Sequence, residues 1–338
     1  MYNLPMRKFI VALVLFLGVA FVILRIGEVE DIIQTLQRGH WFFILLGFVV
    51  VGLYLGNIAL CFKVIFKSIG INEQVRYLLP VALASIFISV VAPSAGMSSM
   101  AVFISEAQRR NYSPGKAAVG GALYILFDYA AFFCVLTLGF IVLIRRNNLN
   151  VGEIISAIIL VVIALFVALL IYLGMHSAEK LGRVLSWLGR LVNRVLRPFI
   201  KREYLSEARA YEFATEASEG LRELTGHPKK LFTPMFFALT KQGLMVSILC
   251  LSFLAFRVPI SIGTLIAGYS IAYLVLIVSP TPSGVGFVEG TLPVILSSMY
   301  IPWGTAAVIT LTYRAFTFWL PLLAGMIGFR WLGSQKAS

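Results

Sequence analysis

The apolar sequence of this chain is broken at two corresponding places by short stretches rich in Pro, Gly and Ser. The first stretch runs from Val91 to Met97 and the second from Val278 to Gly290. Backbone that leaves a helix at membrane depth carries unpaired N–H and C=O groups, which are stable there only when protein or a hydrated cavity surrounds them. Matching breaks in two halves of a membrane protein are typical of transporters with a binding site near the bilayer midplane.

Composition places the chain in a membrane. Its 338 residues are 59% hydrophobic and 13% charged, and the mean hydropathy is +0.92, which is too much apolar surface for one soluble domain. The net charge of +13 does not indicate a nucleic-acid partner, because the basic residues cluster in short loops beside apolar runs. The three cysteines lie within apolar runs without metal-ligand spacing, so we expect no disulfide, metal or cofactor.

Six apolar runs are long enough to cross a bilayer, which takes about 20 residues per helix. The first run follows Arg7 and Lys8 like a signal peptide, but it lacks a clear cleavage site, and a retained span is predicted. Most of the 28 Lys/Arg residues lie in segments on one face, which predicts cytoplasmic termini in a prokaryotic inner membrane. The predicted spans are Phe9–Leu24, Phe42–Phe62, Ala117–Ile144, Ile154–Gly174, Leu231–Phe256 and Thr305–Phe329.

Two further apolar runs are predicted to be re-entrant hairpins. The run Tyr77–Ser105 divides into two pieces that are both too short to cross a hydrocarbon core about 30 Å thick. The run Ser261–Met299 divides in the same way, but its longer first piece leaves two full spans as an alternative. The residues that break the helices are Pro93, Gly96, Pro280 and Pro282.

The order span, span, hairpin, span occurs twice along the chain, and its second occurrence has the opposite orientation. This predicts an all-α polytopic membrane protein with six transmembrane helices and two re-entrant hairpins in an inverted-topology repeat. The repeats are residues 1–146 and 147–338 of a single membrane domain, 1–338. We expect the two hairpin tips to meet near the midplane.

Residues 176–230 are predicted to be a cytoplasmic, helical insertion. In its first part, Leu and Val recur at helical spacing opposite four arginines, which predicts a basic amphipathic helix on the anionic inner leaflet. A plain connector with a solvated charged face is an equal alternative. The second part is acidic and is predicted to form a solvated helix packed on the first. The arginines expected at the lipid surface are Arg183, Arg190, Arg194 and Arg197.

Four charged residues lie within the apolar body: Asp128, Lys241, Glu289 and Arg314. Each opposes insertion by roughly 2.5 to 3.5 kcal/mol at a helix centre unless it is paired or hydrated. In a functional interpretation, Arg314 and Lys241 hold an anionic head group, while Asp128 and Glu289 bind protons or balance charge. The structural alternative is two buried ion pairs that hold helices together.

The second break contains further candidate binding residues. Pro282 and Ser283 are suited to the first turn and the cap of a helix that begins near Gly284. Such a helix would direct its N-terminus into the membrane interior, where free N–H groups attract phosphate. Gly284 and Gly286 would allow a ligand to approach closely, and hairpin packing of small residues is the alternative. Ser94 could supply a similar donor from the first hairpin.

The string SPTPSGVGFVEG, from Ser279 to Gly290, resembles the transmembrane region of the lysylphosphatidylglycerol synthase family, a flippase-like group. The resemblance extends over nearly the whole chain, including the Asp128 span and the last span with Arg314. The first break differs, because Pro93-Ser-Ala-Gly-Met-Ser-Ser replaces the pattern P-G-x-x-G-E that is common in the family. Different substrate contacts are therefore expected there.

The resemblance implies a lipid translocase, because characterised relatives move aminoacylated phospholipid between leaflets. The expected substrate is an anionic phospholipid or a polyprenyl-phosphate-linked lipid. No aminoacyltransferase domain or soluble-type catalytic motif is recognisable, so we do not expect an enzyme. Two alternatives remain at this point: an ion-coupled transporter of a small soluble anion, and a non-transporting membrane scaffold for a lipid-modifying enzyme.

Overall fold

In a computed structural model, the chain is an all-α membrane protein. The structure describes residues 34–91, 97–145, 151–196, 207–225, 232–279 and 281–334, and no strand occurs among them. The helices are α1 (Trp41–Ser68), α2 (Val75–Val91), α3 (Met97–Arg109), α4 (Pro114–Arg145), α5 (Val151–His176), α6 (Ala178–Leu196), α7 (Glu207–Thr225), α8 (Phe232–Ala255), α9 (Ile262–Val278), α10 (Phe287–Ser298), α11 (Trp303–Arg314) and α12 (Leu320–Ser334).

Four apolar helices in the described residues are long enough to span a membrane: α1, α4, α8 and the continuous stretch Trp303–Gly333, in which the π-helical turn Ala315–Trp319 joins α11 to α12. They confirm four of the six predicted spans. Helix α5 covers the predicted span Ile154–Gly174 with 26 residues. The predicted span Phe9–Leu24 lies outside the described residues. The complete count of six spans, and the location of the termini, stay predictions.

The two runs that were predicted to be hairpins each form a pair of short helices. Helices α2 and α3 have 17 and 13 residues, and helices α9 and α10 have 17 and 12. At 1.5 Å per residue, these helices are only about 18 to 26 Å long, which is less than the thickness of the hydrocarbon core. The members of each pair pack against each other. The re-entrant arrangement and the two repeat units stay predictions.

The end of α2 lies next to the second break. Val90 at the end of α2 and Val285 in the second break share a buried cluster with Phe318 and Leu322. Helix α2 also contacts the short 3-10 turn Pro282–Gly284. Apolar packing therefore joins the end of the first hairpin helix to the second break.

Helices α1 and α8 are packed antiparallel along their length. The N–H of His40 donates to the carbonyl of Ala255 at 2.8 Å, and near the other end the Cys61 thiol lies 3.9 Å from the carbonyl of Pro234. Helix α4 packs against α1, α8 and α9. This arrangement brings the middle of α4, α8 and α9 together, which is where the first charged pair lies.

Residues 176–230, predicted to be cytoplasmic, are named the inner connection. Their described part contains two helices, α6 and α7, which pack on each other. Gly182 of α6 lies against the ring of Tyr211, and the side chains of Leu181 and Leu221 meet beside Gly174. Part of the apolar face of α6 is therefore covered by α7 and α5, whereas the sequence had placed the helix on the leaflet. Arg183 and Arg190 are exposed. Arg197 and the side chain of Arg194 lie outside the described residues, and the lipid-surface role of these arginines stays a prediction.

Glu216 of α7 fixes the inner connection to the start of α4. Its Oε2 accepts hydrogen bonds from the hydroxyl of Ser113 at 2.8 Å and from the backbone N–H of Gly115 at 2.7 Å. A carboxylate at this position satisfies the free N–H groups at the helix N-terminus and interacts favourably with the helix dipole. The helix that carries Asp128 is thus capped by a side chain of α7.

We expect the substitution Glu216→Ala to loosen this attachment. Losing a capping carboxylate typically costs about 0.5 to 2 kcal/mol of stability. Hydrogen–deuterium exchange of residues 114–121, followed by mass spectrometry, should become faster in this variant. Glu219→Ala removes an exposed carboxylate of the same helix and should leave the exchange of these residues unchanged. Equal exchange in both variants would contradict the capping role.

Helix α12 approaches the backbone of α2 through two glycines. A Cβ atom on Gly325 would lie 2.7 Å from the carbonyl oxygen of Leu83 and 3.0 Å from the backbone nitrogen of Phe87. A Cβ atom on Gly328 would lie 2.6 Å from the Cβ of Leu83. Because backbone cannot move aside as a flexible side chain can, this contact depends on glycine.

The substitution Gly325→Ala should therefore lower the melting temperature of the detergent-solubilised protein. Overpacking of this kind costs about 1 to 3 kcal/mol. Gly333→Ala is a matched control on the same helix, because no described atom lies within 4 Å of a Cβ there. If Gly325→Ala melts at the same temperature as Gly333→Ala, the close packing of α12 on α2 is wrong.

Candidate functional site

The four charged residues of the apolar body form two ion pairs. Lys241 Nζ lies 2.8 Å from Asp128 Oδ2, and Arg314 Nε lies 2.6 Å from Glu289 Oε1. Each pair sums to zero charge. Two buried ion pairs are what the structural alternative describes, and the structure adds that Asp128 pairs with Lys241 and Glu289 with Arg314. Binding of a substrate by these residues is a separate matter and stays a prediction.

The Asp128–Lys241 pair is part of a dense polar network that links α4, α8 and α9. Asp128 Oδ2 also accepts a hydrogen bond from the hydroxyl of Tyr273 at 2.8 Å, and Oδ1 accepts one from Gln242 Nε2 at 2.9 Å. Lys241 Nζ donates to the Tyr273 hydroxyl at 3.1 Å. Gln242 Oε1 in turn accepts a hydrogen bond from the hydroxyl of Tyr269.

Every charged oxygen and nitrogen of this network has a partner. The Lys241 ammonium also lies 5.4 Å from the ring centre of Tyr124, within the range of a cation–π contact. Both charged side chains are only 9% exposed. A buried pair with complete hydrogen bonding offsets the desolvation of its charges, whereas removal of one partner leaves an uncompensated charge.

Sequence reasoning missed Gln242, Tyr269 and Tyr273. Gln242 directly follows Lys241, and the two tyrosines are four residues apart in an otherwise apolar helix, so they lie on one face of α9. A polar stripe in an apolar helix was the available signal.

The second pair lies directly at the second break. Glu289 belongs to the first turn of α10, and its Oε2 accepts a hydrogen bond from the N–H of Gly286 at 2.8 Å. Arg314 is the last residue of α11 and is 1% exposed. Its Nη2 donates to the carbonyl of Ser283 at 3.1 Å, and its guanidinium carbon lies 4.7 Å from the ring centre of Phe318.

The break itself is a tight, left-handed turn. Ser283, Gly284 and Gly286 have φ angles of 50°, 68° and 83°, so these residues cannot continue a right-handed helix. The expectation that the helix begins near Gly284 is therefore wrong: α10 begins at Phe287, with Gly286 as its N-cap. A Cβ atom on Gly284 would also lie 2.9 Å from the Cα of Leu276, which leaves room only for glycine.

Polar groups of the break are mostly satisfied within it. Thr281 Oγ1 donates to the carbonyl of Val285 at 2.8 Å and lies 2.7 Å from Ser279 Oγ. Ser283 contacts Arg314 through its carbonyl and not through its hydroxyl. Backbone and side chains of the turn thus pair with each other.

Arg314 Nη1 is the exception at this site. The atom is buried and has no hydrogen-bond acceptor among the described residues. Buried guanidinium N–H groups without partners are rare, because leaving such a donor unpaired is unfavourable. The second pair therefore contains a donor that is still available, whereas the charged groups of the first pair have none.

The remaining predicted site residues can be placed only in part. Pro282 lies in the 3-10 turn Pro282–Gly284 that α2 contacts. Pro93, Ser94, Gly96 and Pro280 lie outside the described residues, so their predicted roles stay predictions. Among the residues that the structure describes, no group of His, Cys, Asp or Glu side chains could hold a metal ion.

A cavity of about 20 Å³ lies elsewhere, between α1, α2 and α3, and none of the four charged residues lines it. It has room for about one water molecule. Arg110 Nη1 bridges both oxygens of Glu73 there at 3.1 Å, and its guanidinium stacks on Tyr77. Burial and the Glu73 carboxylate raise the pKa of Tyr112 beside this cavity. These contacts connect Glu73, which precedes α2, to Arg110, which directly follows α3.

The Asp128–Lys241 network predicts a strong energetic coupling between its two charges. We expect Asp128→Leu and Lys241→Met each to lower the stability of the detergent-solubilised protein by about 3 to 5 kcal/mol, because each leaves a buried charge unpaired. The double variant should be more stable than either single variant. Thermal unfolding of all four proteins measures the coupling. Additive losses would mean that the two charges do not interact.

Comparison with known proteins agrees with this architecture. The sequence model of the family described as the lysylphosphatidylglycerol synthase TM region matches residues 9–325. The chain is also 23% identical over 323 residues to a UPF0104 membrane protein of Methanothermobacter thermautotrophicus, and the alignment covers 94% of this chain and 93% of that protein. Both ion pairs lie within the matched residues. The resemblance seen in the sequence is confirmed: the chain belongs to the lysylphosphatidylglycerol synthase transmembrane-region family of multi-pass membrane proteins.

Proposed function

We propose that this protein is a lipid flippase that moves an anionic head group between leaflets while the acyl chains stay in the bilayer. The observation that carries the proposal is the buried Arg314, whose Nη1 has no acceptor among the described residues and which lies at the N-terminus of α10. A guanidinium and a helix N-terminus are both suited to phosphate. The proposed substrate is an anionic phospholipid or a polyprenyl-phosphate-linked lipid of a prokaryotic inner membrane.

The short helices support the same function. In the proposed mechanism, α2–α3 and α9–α10 are re-entrant hairpins of two inverted repeats, residues 1–146 and 147–338. Movement of one hairpin past the other would expose Arg314 to either face in turn. The contact of Val90 with the cluster around Val285 is apolar and small, so it can separate without leaving a charge unpaired.

The two ion pairs receive different roles in this mechanism. Asp128 and Lys241 hold α4, α8 and α9 together, and their complete hydrogen bonding gives a rigid frame. Glu289 and Arg314 lie at the junction of the second hairpin with the last span, where they can exchange one partner for a substrate oxygen. This assignment removes Lys241 from the head-group contacts that were expected from the sequence and keeps Arg314.

Leaflet exchange in proteoliposomes tests the proposal. Fluorescent phosphatidylglycerol is incorporated into vesicles, and the fraction that an external reductant can quench is followed over time. The substitution Arg314→Ala should reduce the initial rate of exchange at least tenfold, because it removes the proposed phosphate contact. Arg314→Lys should be intermediate, since an ammonium keeps the charge but loses the fork-shaped geometry of the guanidinium.

Arg330→Ala is a matched control, because Arg330 is an exposed arginine of the same C-terminal span. It should exchange lipid at the rate of the unchanged protein. Melting temperatures separate a loss of folding from a loss of function. Equal exchange in the Arg314 and Arg330 variants would contradict the proposal. Uptake of a soluble phosphate ester into sealed vesicles without exchange of lipid would instead favour a transporter of a small anion.

A further inference from the structure

The two buried carboxylates differ in how firmly their charge is held. Asp128 accepts hydrogen bonds on both oxygens from three side chains, among them an ammonium, and its side chain is 9% exposed. Glu289 accepts one bond from Arg314 Nε and one from the N–H of Gly286, and its side chain is 18% exposed. Glu289 is therefore the more exposed of the two carboxylates, and a proton that binds there displaces fewer hydrogen bonds.

The charge of the second site changes when an anion joins it. Glu289 and Arg314 together are neutral, so a phosphodiester that binds to Nη1 brings the site to a net charge of −1. Two anions would then share one guanidinium in a region of low dielectric constant. A second negative charge beside Glu289 favours the protonated form of its carboxyl group, as in pairs of carboxylates that share a site. One proton on Glu289 restores neutrality.

Among the described elements that pack against Glu289 and the break, no other acidic side chain can take up this proton. Of the helices packed against α10, α9 carries no Asp, Glu, Lys, Arg or His, and α11 carries only Arg314 as a charged residue. The tyrosines of α9 that can titrate, Tyr269 and Tyr273, belong to the Asp128 network. Tyr313 of α11 is a buried phenol beside Arg314. Helix α2, which touches the break, has its only charged residue, Arg76, near its start.

We infer that binding of a phosphodiester head group at Arg314 is coupled to protonation of Glu289, so that each head group crosses the membrane together with one proton. The inference rests on the proposed function and assigns its coupling ion. The proton enters from the aqueous phase onto a Glu289 oxygen when the head group binds. It leaves to the opposite aqueous phase when the head group departs and Arg314 pairs again with the ionised carboxylate.

Proton uptake on binding tests the coupling without any transport. Glycerophosphoglycerol is a suitable probe, because it is a phosphodiester head group that does not itself titrate near neutral pH. When it is added to the detergent-solubilised protein in weakly buffered solution with a pH-sensitive dye, about one proton per bound molecule should be taken up. The Glu289→Gln variant should bind the probe with no proton uptake, because its amide already imitates the protonated acid.

A pH gradient across proteoliposomes gives the second readout. With fluorescent phosphatidylglycerol, an imposed gradient of two pH units should change the initial rate of leaflet exchange at least fivefold, with net movement from the acidic to the alkaline side. Glu289→Gln should exchange lipid with no response to the gradient. Tyr273→Phe removes one hydrogen bond from Asp128 and serves as the control in the other network. It should keep the response, measured as the ratio of rates with and without the gradient.

The outcomes separate this inference from the function on which it rests. Binding without proton uptake, together with exchange that ignores the gradient, would overturn proton coupling and leave the flippase in place. Absence of lipid exchange in the unchanged protein would overturn both. If Tyr273→Phe loses the response to the pH gradient while Glu289→Gln keeps it, Asp128 and not Glu289 is the carboxylate that takes up the proton.

Discussion

A membrane protein can keep charges in its interior only if they are neutralised in place, and this constraint organises the centre of the molecule. Each of the four central charges would oppose insertion by roughly 2.5 to 3.5 kcal/mol if left alone in hydrocarbon. The fold brings them together as two neutral pairs, Asp128 with Lys241 and Glu289 with Arg314. Because the partners come from different helices, neutralisation requires that those helices pack in one arrangement. Electrostatics and packing therefore specify the same structure.

The same constraint distinguishes the two pairs. The first pair is surrounded by Gln242, Tyr269 and Tyr273, whose hydrogen bonds complete its polar groups and join α4, α8 and α9. The second pair lies where the backbone turns left-handed and a helix begins, and one guanidinium nitrogen has no acceptor among the described residues. An ion pair whose polar groups are all hydrogen-bonded holds its helices rigidly. An ion pair with an unpaired N–H donor has a group that can bind a further acceptor. The two pairs thus differ in whether a buried donor is left without an acceptor among the described residues.

Helices α6 and α7 are connected to the centre of the molecule. Glu216 of α7 caps α4, and α4 carries Asp128, so α7 contacts the helix that contributes to the first ion pair. Helices α6 and α7 bury part of their apolar faces on each other and on the C-terminal end of α5. Arg183 and Arg190 of α6 stay exposed, and a single residue separates α6 from α5.

The sequence by itself determined the membrane class, the long spans, the positions of the breaks and the four central charges, because each of these is a local property of composition and helical spacing. Family membership also followed from a local string, Ser279 to Gly290. Only the tertiary structure decided which charge pairs with which, since Asp128 and Lys241 are 113 positions apart and their contact depends on how α4 and α8 pack. The start of α10 was misjudged from Pro282 and Ser283 for a related reason. Their intrinsic preference for a helix start was outweighed by the left-handed turn, which the close contact of Gly284 with Leu276 and the bond from Arg314 to the Ser283 carbonyl hold in place.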